Sequence, residues 1–97
     1  MEKMLTLQEI TSYLEKLNGW QLDGSSILKV IEFQDFKSAI AYVNKVAEIA
    51  EKFNHHPDID VNFNLVRLIL TSHSAGGLSE IDFKVAEEID KIQIDLQ

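Results

Sequence analysis

Between residues 58 and 71 apolar and polar side chains alternate twice over, and this pattern limits the fold more than any other stretch. Ile59, Val61 and Phe63 alternate with Asp58, Asp60, Asn62 and Asn64. Val66, Leu68 and Leu70 then alternate with Arg67 and Thr71, Ile69 being the exception. Successive side chains of a strand point to opposite faces, so two such runs in a row are the halves of an antiparallel hairpin with one buried face. A two-residue turn at Asn64-Leu65 sets Phe63 opposite Val66, Val61 opposite Leu68, Ile59 opposite Leu70 and Asn62 opposite Arg67. Apolar residues then meet on one side. Leu65 suits the second position of a type I′ turn poorly, so a longer loop in the same register is the alternative. That register also carries His73 back opposite His56.

The remaining elements follow from local signals. Thr6-Leu7-Gln8-Glu9 is a capping box, Leu7, Ile10, Leu14 and Leu17 recur at helical spacing, and Asn18-Gly19 stops the helix. Trp20 and Leu22 alternate with polar residues, Asp23-Gly24-Ser25-Ser26 is a turn, and Ile27 to Phe33 reads as the returning strand. Asp35 N-caps a second helix whose apolar stripe is Phe36, Ala39, Ile40, Val43, Val46, Ala47, Ala50 and Phe53. Pro57 pushes His56 into an extended conformation, so this helix ends near Asn54 or His55. After the second hairpin comes the glycine turn Ser74-Ala75-Gly76-Gly77. Ser79-Glu80-Ile81-Asp82 then opens a third helix in capping-box style, with Leu78 and Phe83 spaced as a hydrophobic staple. The order α-β-β-α-β-β-α predicts an α+β fold: a four-stranded antiparallel sheet with three helices packed on one face. At 97 residues, 1–97 is expected to be a single domain.

Charge and composition remove several function classes. Sixteen acidic against nine basic residues, a net charge of −7, oppose nucleic-acid binding, which needs a basic face for phosphates. The absence of cysteine removes disulfides, thiolate nucleophiles and cysteine zinc sites. No window approaches the roughly 18 apolar residues of a membrane span, and the chain does not open on a basic-then-apolar stretch. A cytoplasmic protein without a membrane partner is the expectation.

Candidate chemistry gathers at Glu51-Lys52-Phe53-Asn54-His55-His56-Pro57. His55 lies at the negative end of a helix dipole and His56 lies in extended chain. Two neighbouring imidazoles in unlike environments suit proton transfer. Three readings of His55, His56 and His73 stand side by side: ordinary polar residues at a loop junction, a three-histidine metal site, or general acid–base catalysis. Adjacent residues of an extended segment point opposite ways, which makes joint ligation by His55 and His56 awkward. Glu51, one helical turn before His55, is placed to orient it or to be solvated. Asp82 reads as a helix cap, and Ser72 and Ser74 as hydrogen-bonding residues or a strand end. There is no phosphate-binding glycine loop with a lysine, no nucleophile elbow and no paired-carboxylate motif.

Taken together, Glu51-Lys52-x-x-His55-His56-Pro57, then Thr71-Ser72-His73, then Gly76-Gly77-Leu78-Ser79-x-x-Asp82, resembles the pterin-4a-carbinolamine dehydratase family. Gly19-Trp20 and Phe33-x-Asp35-Phe36 fit as well, so the resemblance spans nearly the whole chain. It implies loss of water from a 4a-hydroxytetrahydropterin to give the quinonoid dihydropterin, in pterin recycling, with no metal and no redox cofactor. It implies His55, His56 and His73 as the catalytic imidazoles, and Asn54, Pro57, Ser72, Ser74 and Asp82 as residues lining or supporting the pterin site. It also implies a homodimer or homotetramer. The chain departs from the family at Ile59, where an aromatic residue is common, and at Phe63, where tyrosine is common. The alternative from another class is a non-catalytic binding or dimerisation module on the same fold.

Overall fold

The computed structural model describes residues 3–94 of the chain. Helix α1 (Leu7–Leu14) is followed by strands β1 (Gln21–Asp23) and β2 (Ser26–Glu32) and helix α2 (Phe36–Phe53). Strands β3 (Asp58–Asn62) and β4 (Leu65–Leu70), a 3-10 turn (His73–Ala75) and helix α3 (Glu80–Asp90) complete it. The four strands form one antiparallel sheet in the order β1-β2-β4-β3, so β4 returns to the middle beside β2. Ile27, Ile31, Val66, Leu68 and Leu70 are buried on one face of that sheet. They share a core with Ala39, Tyr42 and Val46 of α2 and Phe83, Val85, Ala86 and Ile89 of α3. The α+β architecture with helices on one face is as the sequence predicts.

Three details differ from the sequence reading, each for a local reason. The β3–β4 register is shifted by two: Ile59 pairs with Leu68, Asp60 with Arg67 and Val61 with Val66. The turn is Phe63-Asn64, not Asn64-Leu65, and Phe63 takes a left-handed φ of 55°. Asn64 decides this. Its side-chain amide donates to Phe33 O (2.8 Å), and its own carbonyl accepts from Phe33 N–H (2.8 Å), which fixes the turn against the end of β2. Both registers sort apolar from polar, so alternation alone could not separate them.

The core face of α2 is also rotated relative to the predicted stripe. Ala39, Tyr42, Val46 and Ala50 are buried, whereas Phe36 is 51% exposed and Ala47 lies outside. Tyr42 belongs at i+3 from Ala39 and i−4 from Val46, and an amphipathic ring fills that site as an aliphatic would. It packs on Phe33 with ring centroids 5.1 Å apart. Burial, then the charge of Asp90, holds its phenol well above its ordinary pKa, and its hydroxyl finds no hydrogen-bond partner among the described residues. Finally, α1 stops at Leu14 rather than at Asn18. Its end tightens into 3-10-type bonds from Lys16 N–H to Tyr13 O and Leu17 N–H to Leu14 O, both 3.1 Å. Leu7 is exposed.

One polar cluster ties the far end of α3 to the first hairpin. Asp90 Oδ1 accepts from Trp20 Nε1 (2.9 Å) and Lys29 Nζ (2.8 Å), and Oδ2 accepts from Asn18 N–H (3.0 Å). The Lys29–Asp90 pair is largely shielded, so removing one member leaves the other charge without compensation. Asp90→Ala is expected to lower unfolding free energy by about 3 kcal/mol, read from urea denaturation. A loss below about 0.5 kcal/mol would reduce the cluster to an ordinary surface pair.

Candidate active site

The end of α2 sets the direction of the first histidine. His55 N–H donates to Ala50 O (3.0 Å) and Asn54 N–H to Glu51 O (3.2 Å), with Asn54 left-handed at φ 50°, ψ 44°. These are the paired bonds of a Schellman closure, with asparagine where glycine is more usual. The closure turns the backbone off the helix axis at Asn54. His55 therefore leaves α2 sideways, and buried Pro57 starts the run into β3.

His55 Nε2 lies 2.5 Å from Asp82 Oδ1, with the imidazole 16% exposed and the carboxylate fully buried. Asp82 sits in the first turn of α3 and has a second set of partners. Its Oδ2 accepts from Ser72 Oγ–H (2.8 Å) and from Ser79 N–H (2.9 Å). The hydroxyls of Ser72 and Ser79 are 2.7 Å apart. Exposures of 0% for Asp82, 2% for Ser72 and 1% for Ser79 make this a closed polar network inside the core. Asp82 thus caps α3 with one oxygen, as the sequence predicts, and holds an imidazole with the other, a contact the sequence did not foretell.

His56 points elsewhere. Its Nε2 is 2.6 Å from Glu51 Oε2, and both side chains are exposed, at 53% and 77%. Glu51 therefore serves His56, not His55. A partnership at i, i+4 needs both residues on the helix, and the left-handed Asn54 removes His55 from it. His73 opens the 3-10 turn and is exposed. With the register shifted, strand pairing does not carry it opposite His56. Its link to His55 runs through Ser72, the preceding residue, whose hydroxyl shares Asp82 with His55. That turn is itself pinned by Ser72 N–H to Gly77 O (3.1 Å) and Gly77 N–H to Ser72 O (3.2 Å), with Gly76 at φ 79°.

The network thus joins His55, Asp82 and Ser72, while His73 and Ser74 stand on the adjoining turn and Asn54 and Pro57 flank His55. Ser79 is the participant that sequence reasoning passed over as a cap only. Its place three residues before Asp82 was the available signal. Among the described residues no group of three or more His, Asp or Glu is placed to hold a metal ion. A cleft of about 470 Å³ between α1 and α3 reaches Ser79, and a hollow of about 560 Å³ lies over Val30, Leu65 and Arg67 on the open sheet face. The imidazoles line neither.

The family description pterin 4 alpha carbinolamine dehydratase matches residues 3–92. The chain belongs to the pterin-4a-carbinolamine dehydratase family. A Nostoc sp. protein given that enzyme's name provisionally is 48% identical over 92 residues, covering 95% of this chain and 99% of its own. One from Acidobacterium capsulatum, named in the same provisional way, is 50% identical over 88 residues, covering 91% and 96%. The crystal structure of a transcriptional coactivator/pterin dehydratase from Brucella melitensis superposes with a TM-score of 0.85 at 36% identity, covering 90% of this chain and 95% of that one. Like that pterin dehydratase, this family member places its helices over one four-stranded sheet.

Proposed function

We propose that the chain, working as one domain over residues 1–97, dehydrates a 4a-hydroxytetrahydropterin to the quinonoid dihydropterin by histidine acid–base catalysis. The observation that carries the reading is the His55 imidazole anchored on fully buried Asp82, with His73 on the turn that Ser72 ties to the same carboxylate. The reaction has two proton transfers. An imidazolium gives a proton to the 4a-hydroxyl, the C4a–O bond breaks, and water leaves. A neutral imidazole takes the proton from the adjacent ring nitrogen, whose electron pair closes the C=N bond. Atoms and charge balance without an oxidant or reductant. His55, His56 and His73 share these roles, while Asn54, Pro57, Ser72, Ser74 and Asp82 line or support the pterin site.

Pterin recycling, with tetrahydrobiopterin as the parent compound, is the setting this activity fits, in the cytoplasm. Among the described residues no helix is long and apolar enough to cross a membrane. The sheet ends in β1 and β3, and unprotected edges favour pairing between copies, which supports a homodimer or homotetramer. Stopped-flow decay of a 4a-hydroxypterin tests the activity. The protein is expected to accelerate decay by at least about 10²-fold, the lower end for one positioned proton transfer. Decay at the uncatalysed rate would leave only the binding-module reading.

A further inference from the structure

We infer that Ser72 and Ser79 are positioning residues, acting through Asp82 to reserve Nδ1 of His55 as the nitrogen that exchanges a proton with substrate. The catalytic consequence rests on the dehydratase reading; the geometry does not. Hydrogen counting gives the network a direction. The Asp82 carboxylate only accepts, so the Ser72 hydroxyl hydrogen is committed to Oδ2 over 2.8 Å. In the 2.7 Å contact between the two hydroxyls, Ser79 is then the donor and Ser72 the acceptor. Ser79 N–H takes a further site on Oδ2 at 2.9 Å. With both donors on Oδ2, Oδ1 is left to face His55, and Nε2 must carry the hydrogen between them.

The ring is thereby fixed at one end. Nε2 is engaged, and Nδ1 is a lone pair in the neutral imidazole and a donor in the imidazolium. Asp82, Ser72 and Ser79 are all buried, so water does not replace a lost partner among them cheaply. Ser72 acts directly on the carboxylate. Ser79's hydroxyl acts by fixing and polarising the Ser72 hydroxyl, besides its place in the capping box of α3. A pair that merely stabilised the fold would not act in that order.

The order can be read in two ways. In long-range ¹H–¹⁵N spectra of the wild-type protein, the His55 hydrogen is expected on Nε2, far downfield and slow to exchange, whether or not any variant folds. In Ser72→Ala it is expected to move upfield and exchange faster. In kinetics, Ser72→Ala is expected to lower kcat roughly tenfold with KM nearly unchanged, and Ser79→Ala roughly threefold. Ser72→Thr, which keeps a hydroxyl, recovers most of the loss. The Ser72→Ala/Ser79→Ala double variant loses less than the product of the two single losses, because part of the effect of Ser79's hydroxyl runs through that of Ser72. A His55 hydrogen on Nδ1, an Nε2 signal unmoved in Ser72→Ala, or losses that multiply in the double variant overturns the inference. A wild-type protein that shows the Nε2 signal and its Ser72 dependence but does not accelerate pterin decay keeps the positioning pair and sinks the dehydratase reading instead.

Discussion

The double variant His55→Ala/His73→Ala loses nearly all turnover of a 4a-hydroxypterin while its circular dichroism spectrum stays that of the wild type. Each positioned proton transfer contributes about 10²–10⁴-fold, so removing both imidazoles next to the network lowers the rate by roughly 10⁴-fold or more. The fold survives because neither ring is part of the apolar core: His73 is exposed, and His55 sits at its margin. Removing His55 does leave Asp82 with one partner fewer, a stability loss of about 1–3 kcal/mol that lowers the melting temperature without unfolding the chain at 25 °C. His56→Ala is the control for stability. Its pair with Glu51 is solvated on both sides, and such pairs contribute about 0–1 kcal/mol. Wild-type turnover in the double variant would remove histidine catalysis from this fold's account.

The sequence made the elements legible because their signals are local. Thr6 with Glu9, Asp35 with Ser38, and Ser79 with Asp82 are start signals read within four residues, and each caps its helix. Gly24 at φ 60° closes the first hairpin where its turn residues stand. What could not be read depended on partners far along the chain. The β3–β4 register is set by Asn64 meeting Phe33, 31 residues away, and two registers related by a two-residue slip satisfy the same alternation. The orientation of α2 depended on whether Tyr42 or Ala47 met the sheet, and hydropathy ranks that choice wrongly. The candidate site divides the same way. The histidines at the end of a helix were visible, since Pro57 and the helix stripe locate them. That Glu51 would serve His56 depended on one left-handed residue, Asn54. That Ser72, Ser79 and Asp82 would close around His55 needed three elements to fold together.

Asp82→Asn should keep the fold and lower kcat by about 10²-fold, the scale of one impaired proton transfer. The carboxylate offers acceptors on both oxygens, and the structure uses both. An amide offers one oxygen and one NH₂. Ser72 O–H and Ser79 N–H both need an acceptor at the Oδ2 position, so the amide oxygen settles there and the NH₂ turns toward Nε2 of His55. Two donors then face each other across a gap of 2.5 Å in the parent. The imidazole relieves this by moving its hydrogen to Nδ1, and the lone pair that served the substrate is lost. Asp82→Ala differs in kind. It leaves a buried amide N–H and a buried hydroxyl with no acceptor, so stability falls by about 3 kcal/mol and the loss of rate no longer isolates the tautomer. Parallel measurement of kcat, KM and melting temperature separates the two variants. Asp82→Asn with wild-type kcat would mean that the buried carboxylate only caps α3 and that the imidazole works without its direction.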